Sequence, residues 1–171
     1  MKVLLLLIHN QFQISNMQEI IMENYHPGIK AFYNFIDAFN TVEKNNIIQN
    51  LHFPHVTHSN GNEPIIYKNG EIFWDSLKIQ FDQMIKLEEW SFSTLDACKI
   101  INETDKTLQC LVEFNRRTKN KKSYGTAKGI WVATLIDNIW ALQIRSMIPV
   151  SGRISSLAGT KMSYGNEIDN P

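Results

Sequence analysis

The chain has 171 residues, enough for one domain with an ordinary core. Hydrophobic residues make up 43% and charged residues 20%, a balance that excludes a disordered chain. Lysine plus arginine (17) cancels aspartate plus glutamate (17), so no net charge draws the chain to nucleic acid or to an anionic membrane, and two cysteines exclude a disulfide-rich scaffold.

Val3 to Ile8 is a short apolar run after Lys2, and no small-residue cleavage site follows it. Spanning a bilayer takes about 20 apolar residues, and no such stretch occurs. Residues 1–26 are read as an N-terminal extension of a cytoplasmic protein with no membrane partner. Pro27 suits the first turn of a helix. Ile29, Phe32, Tyr33, Ile36 and Phe39 then fall on one helical face. Asn40 and Glu43 have the spacing of a capping box for a second, shorter helix that stops before Pro54. His52 to Asn62 reads as irregular, and Ile65 to Tyr67 as a short strand. After Asn69-Gly70 a third helix carries Phe73, Trp74, Leu77, Phe81, Met84 and Ile85 on its apolar stripe.

Beyond Glu89 the pattern turns extended. Strands are expected over Trp90 to Ile101, Leu108 to Phe114, Tyr124 to Ile136 and Ile139 to Ile148. Asp137-Asn138 has the composition of a tight hairpin turn. Consecutive hairpins imply an antiparallel meander. From Ser151 the chain collects Gly, Ser, Asn and Pro, and residues 151–171 read as a loose tail behind a single domain at 27–150. Helices first and strands afterwards make the fold class α+β, with helices packed on a strongly curved antiparallel sheet. Such a sheet forms a cone around the third helix, and its open end is a pocket.

Five stretches resemble the nuclear-transport-factor-2-like superfamily, which includes ketosteroid isomerase and the SnoaL-like proteins. They are AFYNFIDAFN at 31–40, LHFPHVTHSNG at 51–61, EIFWDSLKIQFDQM at 71–84, LQCLVEFNRR at 108–117 and GIWVATLIDNIWALQIRSMIP at 129–149. The resemblance covers about residues 27–149. It is strongest to bacterial members with an H-F-P-H segment after the second helix and a strand ending W-x-x-Q-x-R-S. It implies a cystatin-like cone with a small-molecule pocket. It does not choose among isomerases, cyclases, dehydratases and non-catalytic binders, because a fold does not specify a reaction.

The candidate chemistry follows. His55 and His58 occupy the segment that delivers a carboxylate base in ketosteroid isomerase-like members, so the resemblance implies His55 as general base. The alternative is a structural turn in which His55 bonds to backbone. Tyr33, four residues before Asp37, would be the oxyanion donor if its ring enters the cone, or else a core aromatic. Arg145 or Arg116 would anchor a carboxylate or phosphate. Strict alternation puts Ala141, Gln143 and Arg145 on one face, which lines the pocket or forms a solvated or dimer-facing surface. Phe53, Trp74 and Trp90 supply apolar wall, with His58 beside them. No metal site and no cofactor are expected, and the basic loop at 116–122 lacks the aromatics of a nucleic-acid platform. The expected ligand is a small apolar molecule with a polar or anionic handle. The rival expectation is a non-catalytic binding or dimerisation module. An apolar outer sheet face, including Leu111, points to a homodimer through the sheet.

Overall fold

The computed structural model describes residues 26–160, so the expectations for residues 1–25 and 161–171 lie outside the described residues. The elements are α1 (Pro27–Thr41), α2 (Lys44–Ile48), β1 (Leu51–Ser59), β2 (Ile65–Tyr67), α3 (Gly70–Glu88), β3 (Phe92–Glu103), β4 (Thr107–Arg117), β5 (Ser123–Ile136) and β6 (Ile139–Gly152). The fold is α+β, with one curved sheet in the order β2-β1-β6-β5-β4-β3. Strands β3 to β6 form the expected antiparallel meander.

The sheet departs from expectation at β1. The segment from His52 is a strand paired parallel to β6 on one edge and antiparallel to β2 on the other. It alternates as a strand should: Leu51, His55, Thr57 and Ser59 are buried, while His52, Val56 and His58 lie between them on the other face. The alternation is invisible to a hydrophobicity reading because most of the buried positions are polar. Pro54, which cannot donate to a ladder, sits where the register with β6 shifts between Leu51 and Val56.

Helix α1 makes the close backbone approach to the sheet, against β3, β4, β5 and β6. It therefore takes the place across the concave face that the sequence assigns to the third helix. Its buried stripe is Ile29, Phe32, Phe35, Ile36 and Phe39, with Tyr33 at the margin. Asn40 does not cap α2, whose N-cap is Glu43. Its side chain instead brackets Ser93 on β3, accepting from the backbone N–H at 2.7 Å and donating to the carbonyl at 2.9 Å. Helix α3 is capped by Asn69, which accepts from the Ile72 N–H at 3.1 Å. Phe73, Leu77, Phe81 and Met84 of α3 are buried, whereas Ile85 is exposed.

Curvature comes from bulges in three strand pairings and from a close strand crossing at Gly129. A side chain at Gly129 would collide with the Ser146 carbonyl and Met147 on β6. The hairpin at Asp137-Asn138 has φ values of 51° and 62°, the left-handed pair that a two-residue turn requires. Gly129→Ala is expected to destabilise the chain by about 3 kcal/mol, the upper range of overpacking. Urea unfolding checks this, and a loss under about 0.5 kcal/mol would mean the crossing has slack.

Candidate functional site

The site begins with a phase change in β6. Leu142 pairs with Ala133 and Ile144 with Val132, so Gln143 is an extra residue. One extra residue inverts the alternation beyond it. Leu142, Arg145 and Met147 are buried on the inner face, and Gln143 instead donates to the Pro54 carbonyl at 3.4 Å. The expected polar trio is thus broken, and Arg145 alone turns into the cone from among aliphatic and aromatic neighbours.

Arg145 is 5% exposed. Its Nε donates to His55 Nε2 at 3.2 Å, and its guanidinium lies over the rings of Phe35 (4.8 Å) and Phe73 (5.7 Å). No carboxylate among the described residues pairs with it. Burial pulls its pKa from 12.5 to about 10, with Tyr67 opposing, so it remains a cation at neutral pH. Two small cavities meet at this guanidinium, one of about 30 Å³ and one of about 10 Å³. Space of that size holds a water or two and no organic ligand. Gln80, Leu157 and Ala158 also border both cavities.

His55 is fully buried, and it does not border either cavity. Accepting from Arg145 commits its Nε2 lone pair and places the ring proton on Nδ1. Burial first, and the Arg145 charge second, hold its pKa well below the ordinary histidine value, against the pull of the Leu142 carbonyl. Nδ1 nevertheless has no formed hydrogen bond among the described residues. The geometry therefore sets His55 behind Arg145 as its acceptor and does not offer it as a base to a ligand. Thr57, directly opposite Arg145 in the sheet, lines the smaller cavity with a buried hydroxyl that has no partner among the described residues. A cation and an idle hydroxyl thus share one small space.

Arg116 also lines the larger cavity, but its charge is matched. Its Nη1 lies 2.6 Å from Glu88 Oε2, and both side chains are 2% exposed. Glu88 also accepts from Tyr124 Oη at 2.7 Å and from the Ser155 N–H and Oγ, each at 2.7 Å. Arg116 Nη2 donates to the Ser156 carbonyl. Arg116 is thus an inner strut of the structure rather than an anion anchor. The segment it holds lies at the start of the stretch read as a loose tail, and there Ser156, Leu157, Ala158 and Gly159 are buried.

The other expected residues do not converge on the cavities. Tyr33 is half-buried at the core margin and borders neither, so it is not placed with Arg145. His58 is on the outer face, 2.9 Å from Ser146 Oγ. Trp74 and Phe53 are half-buried core neighbours. Trp90 is buried, donates to Ser93 Oγ at 3.0 Å and packs edge-on to Phe39. Thr57, Gln80, Glu88 and Leu157 escaped the sequence reading. Gln80 and Glu88 left a signal, since both continue the buried helical spacing of Leu77, Phe81 and Met84. Among the described residues there is no group of three metal-ligating side chains and no helix long and apolar enough to cross a membrane.

Burial alone would raise the Glu88 pKa, but Arg116, Ser155 and Tyr124 outweigh it and the value is lowered. A depressed folded-state pKa stabilises above the ordinary value of 4.5 and is lost as pH falls through the folded value. Hydrogen exchange of the amides at 153–158 should therefore hold steady from pH 7 to 5, once intrinsic rates are divided out, and accelerate as pH falls below the ordinary 4.5 and through the depressed folded value. Glu88→Gln should show the fast exchange already at pH 7. Protection unchanged in that variant would show that the carboxylate does not hold the segment.

No family model matches the chain, and no curated protein matches it significantly. Solved structures do match. A cystatin-like-fold protein of unknown function from Nostoc punctiforme superposes with a TM-score of 0.56 at 11% identity, over 71% of this chain and 87% of that one. A nuclear-transport-factor-2-like protein from Novosphingobium aromaticivorans gives 0.54 at 10% identity, over 87% and 92%. A ketosteroid isomerase-like protein from Erwinia carotovora atroseptica gives 0.53 at 9% identity, over 73% and 95%. Helices, sheet order and these superpositions agree: the chain has the nuclear-transport-factor-2-like, cystatin-like fold.

Proposed function

We propose that the chain binds a small apolar molecule carrying a carboxylate, with Arg145 as the anchor in the cone. The observation that carries this reading is the buried Arg145 cation with no carboxylate partner among the described residues, beside the Thr57 hydroxyl that is idle among them too. An unpaired buried charge is costly, and a bidentate carboxylate is its natural complement. Phe35, Phe39 and Trp131 offer the apolar wall for the rest of such a ligand.

Binding without catalysis has the better support. Proton-transfer chemistry of the isomerase, dehydratase or cyclase type needs a base and a hydrogen-bond donor facing the same substrate atom region. Here the His55 lone pair is engaged by Arg145, and Tyr33 stands outside the cavities. The two free cysteines suit the reducing cytoplasm in which this reading places the chain.

The direct test is calorimetric titration with 4-phenylbutyrate, 4-phenylbutan-1-ol and 4-phenylbutylamine. The carboxylate should bind at least about tenfold more tightly than the other two, equivalent to about 1.4 kcal/mol. Arg145→Met, which keeps the volume without the charge, should erase that preference. Equal binding of acid and amine would refute the anion reading.

The reading also includes a homodimer through the outer sheet face. Leu111 and Ile130 are cross-strand partners there, 47% and 44% exposed, and Ile144 and Ile148 extend the patch on β6. Such a patch gains from being covered. Sedimentation should give a dimer for the native chain and a monomer for Ile130→Lys. A native monomer at 100 μM or so, a concentration well above that of stable dimers, would exclude it.

A further inference from the structure

We infer that residues 155–160 are a removable plug, seated where the tail of a carboxylate ligand would lie, and that ligand binding and plug seating are mutually exclusive. The inference rests on the pocket reading above and concerns how that pocket is controlled.

The first ground is position. Leu157 and Ala158 form wall common to both small cavities, and Arg145 and Gln80 are the other residues common to both. Withdrawal of Leu157 removes the apolar side of this shared wall and leaves Arg145 and Thr57 facing a larger hollow. With Leu157 in place, the space beside the guanidinium is too small for any organic acid.

The second ground is how the segment is held. It forms no strand with the sheet, since β6 ends at Gly152. Its attachments converge on one carboxylate: Ser155 and Ser156 donate to Glu88 Oε1 through backbone and hydroxyl, and Gln80 and Arg116 reach the Ser156 carbonyl. Gly159 then passes so close to β1, at φ +94°, that a side chain there would collide with the His58 and Ser59 backbone. The seat is specific, yet it consists of a few side-chain contacts and one leucine rather than a ladder of backbone bonds.

The third ground is charge. An apolar leucine leaves Arg145 unmatched, while Arg116 beside it is fully matched by Glu88. A carboxylate ligand supplies to Arg145 what Leu157 cannot. The seated plug is thus the resting state that fills the cone, and it reduces apparent affinity by the fraction of molecules in which it is out. The ligand class that follows is a monocarboxylate with one apolar tail of about the reach of Leu157 or longer.

The experiment uses the full chain and 4-phenylbutyrate. Hydrogen exchange at 154–160 is measured with and without the probe, and affinity is measured for the native chain, Leu157→Ala and Gly159→Val. The first variant shortens the plug, and the second, at a position that borders the smaller cavity but not the larger one, forces it off β1. The expected results are loss of protection at 154–160 in the native complex and an affinity gain of at least about tenfold in each variant. Protection kept or increased in the native complex overturns the plug while leaving the pocket reading intact. Probe binding to none of the three proteins overturns both. Circular dichroism verifies the fold of the variants, and the native exchange result decides alone if either fails to fold.

Discussion

A guanidinium held in an aromatic interior, with no carboxylate beside it among the described residues, constrains everything around it. Arg145 stays protonated, so the surrounding structure must stabilise a cation with what it has: the ring faces of Phe35 and Phe73 and the lone pair of His55. Rings can return about 2 kcal/mol to a desolvated cation, less than a buried charge loses on leaving water. The tautomer of His55 follows from the same contact, and its neutrality follows from burial first and from the guanidinium 3.2 Å away second. The charge therefore converts a histidine that looks catalytic in the sequence into an orienting acceptor.

The second buried arginine makes the contrast. Arg116 and Arg145 lie on inner faces of the same sheet and border the same cavity. Arg116 has Glu88 at 2.6 Å and is satisfied; removal of either partner would strand a buried charge. Besides Tyr124, that pair directs its remaining hydrogen bonds to Ser155 and Ser156, which is why a segment rich in serine and glycine is ordered over the cone. One arginine builds the wall and the other faces the space behind it. Their difference is a carboxylate at the end of α3, not anything in the arginines themselves.

The cone's small free volume also restrains what its fold can be made to say. Proteins at about one-tenth identity share this architecture. The backbone arrangement tolerates that variety because α1 and the curved sheet need only apolar contact, which many sequences supply. Function resides in which few polar groups interrupt that contact. In this chain those groups are Arg145, Thr57, Gln80 and His55, and the proposed ligand reading rests on the first two.

Local chemistry was enough to determine the elements whose signals are periodic or punctuated. The α1 stripe, the α3 start at Asn69-Gly70 and the Asp137-Asn138 turn are each written in neighbouring residues, and the meander from β3 to β6 in a succession of such local signals. Composition alone excluded a disulfide scaffold. What depended on contacts between distant segments was decided only on folding. Strand β1 is a strand because β6 and β2 accept it on both edges, although its inward residues are polar. Arg145 points inward because one bulge at Gln143 reverses the phase of β6, and a bulge is set by the partner strand. The closing segment is ordered because Glu88, nearly seventy residues earlier, is buried with Arg116 beside it. Periodicity carries information over one element, whereas burial of a charge is a property of the whole packed interior, and the site is made of buried charges.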